Sequence, residues 1–267
     1  MRLASAYIAL VRLPNVLMVA AGVMLGAWWA RGSISAAVFA AMVAAMALTA
    51  AANSWNDAAD IEIDRVAHPE RPLPSGLLSK ATALGLARFA ALLAVVAALL
   101  AAPSLALLTV ILLVPMRFYS PHIKRLGLPG NLTVALLASL PFLYGAWATG
   151  RPRSGLLLVA IAAPLHLARE IAKDLDDAAG DAGVRRTLPM RIGVPGARLI
   201  LVLALLIFAA AILPVGLQKP AFWAALVPVF FFCAIAVRLT VLGRKGSPRL
   251  LKAAMLCAML AFVVARR

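Results

Sequence analysis

The sequence predicts an all-α membrane protein with nine transmembrane helices, and three observations predict it. Of the 267 residues, 64% are apolar and 13% are charged, against about 45–50% and roughly a quarter in soluble domains. The apolar residues gather into nine runs, at about 20 residues for each membrane crossing. The ten acidic residues fall in two short segments and nowhere else. This composition excludes a soluble enzyme, a disordered chain and a disulfide-stapled secreted module. It leaves no room for a second, soluble domain, so residues 1–267 read as one unit. Cys233 and Cys257 both lie in apolar runs and read as neither a disulfide nor metal ligands.

The elements follow from where Pro, Gly and charge interrupt the apolar runs. The first, 13–30, comes after Arg2 and Arg12 and carries no pattern of a cleaved signal. The second, 34–55, leads into the first acidic segment. That segment closes on Pro69, Pro72, Pro74 and Gly76, which read as a rigid non-helical turn. The third and fourth are 81–101 and 103–118; the fourth is short and reads as tilted, half-buried or extended by Phe118 and Tyr119. The fifth is 130–149, and the sixth, 154–172, runs into the second acidic segment, which Gly180 and Gly183 loosen. The last three are 197–215, 220–241 and 249–265. Trp28, Trp29 and Trp223 read as interfacial aromatics.

Charge gives the topology. The net charge is +16, and twenty of the 26 basic residues fall on the side that holds the N-terminus and the loops after the even-numbered helices. That bias places the N-terminus and those loops in the cytoplasm. No basic stripe is interleaved with aromatics, so nucleic acid is not the expected partner; the excess serves topology and attraction to the bilayer's anionic lipid.

Both acidic segments lie on that side, and they repeat one another. Asp57, Asp60 and Asp64 are spaced three then four, as are Asp174, Asp177 and Asp181, and a polar residue, Asn53 or Glu170, precedes each first Asp by four. Each ladder is followed by a similar run, Arg71-Pro72-Leu73-Pro74 or Arg186-Thr187-Leu188-Pro189. At about 100° per residue, Asn53, Asn56, Asp57, Asp60 and Asp64 share one helical face, and so do Glu170, Lys173, Asp174, Asp177 and Asp181. Glu62 and Asp176 fall off these faces and read as solvated. Carboxylates stacked on one face repel, and hard divalent ions with oxygen ligands are the counter-charge that suits them. Mg²⁺ typically combines a few carboxylates with substrate phosphates. Two opposed acidic faces with Arg and Lys nearby therefore suit a diphosphate held through metal ions.

Asn56-Asp57-Ala58-Ala59-Asp60-Ile61-Glu62-Ile63-Asp64, followed by Arg71-Pro72-Leu73-Pro74-Ser75-Gly76, resembles the first signature of the UbiA family of intramembrane prenyltransferases. Lys173-Asp174-Leu175-Asp176-Asp177-Ala178-Ala179-Gly180-Asp181 resembles the second, and Tyr119-Ser120-Pro121-His122-Ile123-Lys124-Arg125, ending near Asn131, resembles the loop after helix four. The resemblance implies a helical bundle around a central cavity, with a cytoplasmic polar cap, a lateral opening to lipid and a cytoplasm-facing active site. It implies Mg²⁺-dependent transfer of an isoprenyl chain from its diphosphate to a lipophilic acceptor. Asn56, Asp60 and Asp64 would bind one metal and Asp177 and Asp181 the other, with Asp57 and Asp174 as auxiliary ligands. Arg71 and Lys124 would contact the diphosphate, with Lys173 and Arg125 in support. Arg12 and Asn15 resemble a polar pair lining the family's pocket, and Asn53, Tyr119, Asn131 and Tyr144 join them as pocket candidates.

Around Arg169-Glu170-Ile171-Ala172-Lys173-Asp174 the second motif looks most like the digeranylgeranylglyceryl phosphate synthase branch, which joins geranylgeranyl diphosphate to geranylgeranylglyceryl phosphate. The alternative is an aromatic or quinone-precursor acceptor, or a chlorophyll-synthase-like one; the ubiquinone branch usually carries a Tyr in the neighbourhood of Ile171 and Ala172. Phe118, Tyr119, Phe142, Tyr144 and Trp147 are candidates to face an allylic cation. His122 reads as a phosphate contact, His68 as solvated and His166 as a pocket or packing residue. Other classes fit less well. A CDP-alcohol phosphotransferase needs an Asp-Gly run that the chain lacks, and a cation transporter would place its acids near the midplane.

Overall fold

The computed structural model describes residues 3–31, 33–119, 122–177, 187–216 and 220–266. Among the described residues there are eleven α-helices and no strand: α1 Leu3–Val11, α2 Leu13–Arg31, α3 Ala36–Ala59, α4 Ile61–Ala67, α5 Lys80–Ala101, α6 Pro103–Phe118, α7 Leu128–Ala148, α8 Pro152–Asp177, α9 Leu188–Gly216, α10 Pro220–Val241 and α11 Ser247–Arg266. Local chemistry sets several starts. The hydroxyls of Ser35 and Ser79 cap α3 and α5 by accepting from the Val38 and Thr82 amides. Pro103 opens α6, where its missing N–H costs nothing.

Eight of the nine expected runs become helices long and apolar enough to cross a membrane, and α6, at 16 residues, is the short one. Leu92, Leu100, Leu107, Ile111, Leu206, Ile207, Val227 and Phe231 are each more than half exposed. Such large apolar side chains facing outward have lipid as their natural surroundings. The chain is an integral, multi-pass membrane protein.

Two apolar clusters divide the bundle. One joins α8, α9, α10 and α11 around Leu165, Leu201, Phe208, Phe222 and Leu251. The other joins α2, α3, α5, α6 and α7 around Val23, Leu48, Ala94, Leu105 and Tyr144. In lipid, helices associate through close packing rather than water release, which favours small residues at contacts. The α2–α7 contact shows this: a β-carbon on Gly26 would lie 2.0 Å from the Phe142 carbonyl oxygen, and one on Gly145 1.8 Å from that of Val23.

A third, smaller cluster packs α1 and the 71–78 turn against the end of α3 through Ala6, Leu10, Ala58, Leu73 and Leu78. That turn is closed by backbone bonds from Ser75 N to Arg71 O (3.0 Å), Gly76 N to Leu73 O (3.1 Å) and Leu78 N to Pro72 O (2.9 Å), with Gly76 at φ 76°. The rigid turn expected after the first ladder is therefore present, and it fixes the backbone that carries Arg71.

Helix ends differ from expectation where the chemistry lies. Helices α3 and α8 run on into the acidic segments, to Ala59 and Asp177, and α9 has a short helical piece from Leu188 set off by a kink at Gly193 (φ 76°, ψ 160°), ahead of the run expected from 197. The first ladder does not lie on one continuous helix. Asp60, at φ −93°, ψ 7°, separates α3 from α4, so Asp64 sits on a second short helix. A straight helix would stack the three carboxylates on one face; the bend instead carries Asp64 to the Arg71 guanidinium.

Candidate functional site

The polar ends of four helices are tied together by side chains. On α3, Asn53 donates from Nδ2 to the Val11 carbonyl at 2.8 Å, and one turn on Asp57 accepts from Arg12 Nη2 at 2.6 Å. Both bonds hold the α1–α2 corner, where Arg12 takes φ 56°, a left-handed conformation unfavourable for a residue with a β-carbon. At the other end of the chain, Asp176 accepts from the Gly246 amide at 2.8 Å, joining the end of α8 to the start of α11. Lys252 of α11 donates from Nζ to Asn15 Oδ1 of α2 at 3.1 Å, joining the two pairs in one row, α3–α2–α11–α8.

Between these helix ends lies a cavity of about 360 Å³, of the size that takes small ligands. Three of the lining helices, α2, α8 and α11, are polar at the mouth and apolar beyond it. From its start inward, α2 presents Arg12 and Asn15, then Met18, Gly22 and Leu25. Helix α11 presents Lys252, then Met255, Met259 and Phe262. Helix α8 runs the opposite way, from Leu158, Ile161 and Leu165 to His166, Arg169, Glu170, Lys173 and Asp177. Asn53, Asn56 and Asp60 complete the polar mouth from α3 and its end, with His68 and Arg71 beyond α4. Successive lining residues are three or four apart, the spacing of one helical face.

The two ladders contribute to this mouth in parallel. The first Asp of each faces away from the cavity and holds a neighbour: Asp57 is 6% exposed and paired with Arg12, and Asp174 accepts from Asn131 Nδ2 at 3.0 Å and from the Leu188 backbone. The second Asp of each, Asp60 or Asp177, lines the cavity. Asp64, 1% exposed, accepts from Arg71 Nη1 at 2.6 Å and does not line it. Asp181 and the side chains of Lys124 and Arg125 lie outside the described residues.

Of the remaining candidates, Arg12, Asn15, Asn53, Asn56, Arg71, Tyr119 and Lys173 line the cavity. Asn131 does not, being committed to Asp174. Tyr144 is corrected as well: its hydroxyl shares a 2.9 Å hydrogen bond with Thr109 and it borders a separate small void, because its face of α7 meets α6. Asp176, read as solvated, is the acceptor that anchors α11. Glu62 is exposed and paired with Arg65, and His68 lies within 3.6 Å of Glu70. His166, read as a pocket or packing residue, lines the cavity; Arg169, Lys252 and the cavity-facing position of His68 are not singled out by the sequence. Lys252 does lead a three-and-four-spaced strip along its own helix, which is the signal available for it.

Among the described residues no three His, Cys, Asp or Glu side chains form a ready metal cage. The donors that face the cavity are instead divided between the halves. Asn56 Oδ1 is buried with no hydrogen-bond partner, on the cavity wall beside Asp60, while Asp177 is exposed on the opposite helix. A buried amide oxygen without a donor is costly and suits a hard cation that also takes substrate oxygens. Five cations line the mouth, Arg12, Arg71, Arg169, Lys173 and Lys252. Three are matched by Asp57, Asp64 and Glu170; Lys173 and Lys252 make no ion pair among the described residues. The arrangement can hold an anionic head at its rim and a hydrocarbon chain below.

Comparison with known proteins gives a consistent result. The model of the UbiA prenyltransferase family matches residues 16–263. The chain is 36% identical to a digeranylgeranylglyceryl phosphate synthase of Halobacterium salinarum, over 97% of this chain and 96% of the relative. A solved digeranylgeranylglyceryl phosphate synthase structure superposes with a TM-score of 0.73 at 25% identity, covering 100% of this chain and 99% of that one. A UbiA homologue from Archaeoglobus fulgidus, bound to DMAPP and Mg²⁺, has the same fold, with a TM-score of 0.71 at 17% identity and 97% of each chain covered.

Proposed function

The chain belongs to the UbiA prenyltransferase family, and we propose from that premise that it transfers a geranylgeranyl chain from its diphosphate to the free hydroxyl of geranylgeranylglyceryl phosphate, with Mg²⁺, in ether-lipid synthesis. The observation that carries this reading is the cavity whose wall turns from charged to hydrocarbon along α2, α8 and α11. The acceptor follows the name of the Halobacterium salinarum relative.

Asn56, Asp60 and Asp177 would hold magnesium, with Asp181 completing the set, and Asp57, Asp64 and Asp174 holding the two ladders in place. Bound there, the metal would neutralise charge on the diphosphate oxygens. Arg71 and Lys173, with Lys124 and Arg125 from the preceding loop, grip the same oxygens, and Asp64 fixes the direction of the Arg71 guanidinium. These cations favour the departing diphosphate over the intact ester, because negative charge grows there as the carbon–oxygen bond breaks. The apolar walls of α2, α7, α8 and α11 seat the isoprenyl chain and exclude water that would quench the allylic cation. The acceptor hydroxyl then closes the new carbon–oxygen bond and releases its proton.

In the membrane, α6 serves as the ninth crossing. Its 16 residues reach about 24 Å, short of the roughly 30 Å hydrocarbon layer, and the bilayer thins locally to meet it. The surplus of basic residues on the ladder side supports an orientation with the polar mouth, the active site and the N-terminus facing the cytoplasm.

Incubating the purified protein with labelled geranylgeranyl diphosphate and each acceptor tests the reading. Labelled digeranylgeranylglyceryl phosphate is expected, with magnesium present and not after chelation. Turnover of 4-hydroxybenzoate with none of the glycerophosphate lipid would overturn it.

A further inference from the structure

Two lipids meet in the proposed reaction and both carry anionic heads, so the mouth must offer two anion positions. The ladders supply one. The other must avoid Asp60 and Asp177, whose carboxylates repel a phosphate not bridged by metal. Across the mouth, on α2 and α11, the wall has a different chemistry. Lys252 lines the cavity with its Nζ on the neutral Asn15 Oδ1, and no carboxylate pairs with it among the described residues. A second cation of the same cavity, Arg169, stands on α8. Arg169 itself lines the cavity and spends one Nη on Glu170, leaving other donors of its guanidinium fork. With its oxygen taken by Lys252, the Asn15 amide group is left as a donor.

Glu170 already offsets Arg169, while Lys252 stands at the end of an apolar wall with its charge met by a neutral amide, an arrangement that a further anion would relieve. Beneath Lys252 the same face of α11 carries Met255, Met259 and Phe262, a strip of about 15 Å at 1.5 Å per residue. Met18 and Leu25 flank it from α2. A phosphate seat therefore stands at the head of its own hydrocarbon track.

We propose that Lys252, with Asn15 and Arg169, seats the phosphate of the acceptor lipid apart from the ladders that receive the diphosphate, and so selects phosphorylated over neutral acceptors. The proposal rests on the prenyl-transfer reading above and assigns the second head group within it.

The test uses the full chain in detergent and two readouts. In thermal unfolding without magnesium or prenyl diphosphate, geranylgeranylglyceryl phosphate raises the wild-type Tm and geranylgeranylglycerol does not. Lys252→Met loses that rise and keeps the one given by geranylgeranyl diphosphate with Mg²⁺. Inorganic phosphate alone gives no rise; a rise equal to the lipid's would mean a free-phosphate site and overturn the proposal. In kinetics, Lys252→Met raises KM for the phosphorylated acceptor about tenfold or more, the scale of a lost charged hydrogen bond, with KM for the diphosphate within about twofold. A parallel rise in both KM values, or equal wild-type use of both acceptors, overturns it. If Lys252→Met does not fold, Asn15→Ala and Lys252→Arg decide: the first weakens acceptor binding, the second retains it, and loss in Lys252→Arg equal to that in Asn15→Ala contradicts the assignment. Wild-type protein that gives no product but keeps the phosphate-dependent Tm rise would refute the reaction and leave the seat standing.

Discussion

The two acidic segments share a spacing and part company in three dimensions. The N-terminal ladder is bent at Asp60, buried, and braced by two arginines that come from outside its helix, Arg12 on Asp57 and Arg71 on Asp64. The C-terminal ladder continues α8 without a break to Asp177, and its described bonds come from an amide, Asn131, and from backbone groups. In both, the first Asp is a fastening and the second faces the cavity. The repeat in sequence therefore encodes a repeat in role, while the surroundings set how firmly each half is held. The N-terminal half is built around paired charges in place before any ligand enters; the C-terminal half offers a more open carboxylate.

The strongest challenge to that parallel is to remove the second Asp of each ladder. Asp60→Ala and Asp177→Ala should each lower turnover by about a thousandfold or more, on the scale of losing a main charge stabiliser, with unfolding temperatures close to wild type. A near-wild-type rate in one of them would break the equivalence of the halves. The first positions sharpen the contrast. Asp57→Ala leaves Arg12 without its partner at a strained corner, at a cost of about 1–3 kcal/mol once the partial exposure of that arginine is allowed for. Asp174→Asn keeps an acceptor for the Asn131 amide and should cost under about 1 kcal/mol. Thermal unfolding of the two variants ranks them, and the reverse order would contradict the account of which half is braced.

The smallest effect belongs to Tyr144→Phe. Thr109 keeps its bond to the Leu105 carbonyl, so stability falls by about 0.5–1 kcal/mol and the rate stays within about twofold. A large loss of rate would return Tyr144 to the site.

Most of the bundle and half of the mouth are legible in the sequence because hydropathy and acid spacing are local signals. The runs at 103–118 and 220–241 coincide with α6 and α10, and the ladders do converge on one cavity. What was not legible depends on chain reversal. Spacing puts Asp57, Asp60 and Asp64 on one face, yet Asp60 alone of the three lines the cavity, while Asp57 and Asp64 are taken up by Arg12 and Arg71. Tyr144 and Tyr119 are both aromatics near the expected pocket, yet α7 turns one toward Thr109 while the other lines the cavity. Lys252 reads in isolation as one more topological charge. Its meaning appears once α11 packs beside α2 and brings it to Asn15, 237 residues away in the chain.

The central claim is that Asp60 and Asp177, from opposite halves, act together on one diphosphate. Calorimetric titration of a non-reactive geranylgeranyl diphosphate analogue, with and without Mg²⁺, tests it most directly. The account predicts that wild-type protein binds far more tightly with magnesium and that either Asp→Ala variant alone removes that gain. Retention of the full magnesium-dependent gain in either variant would contradict it.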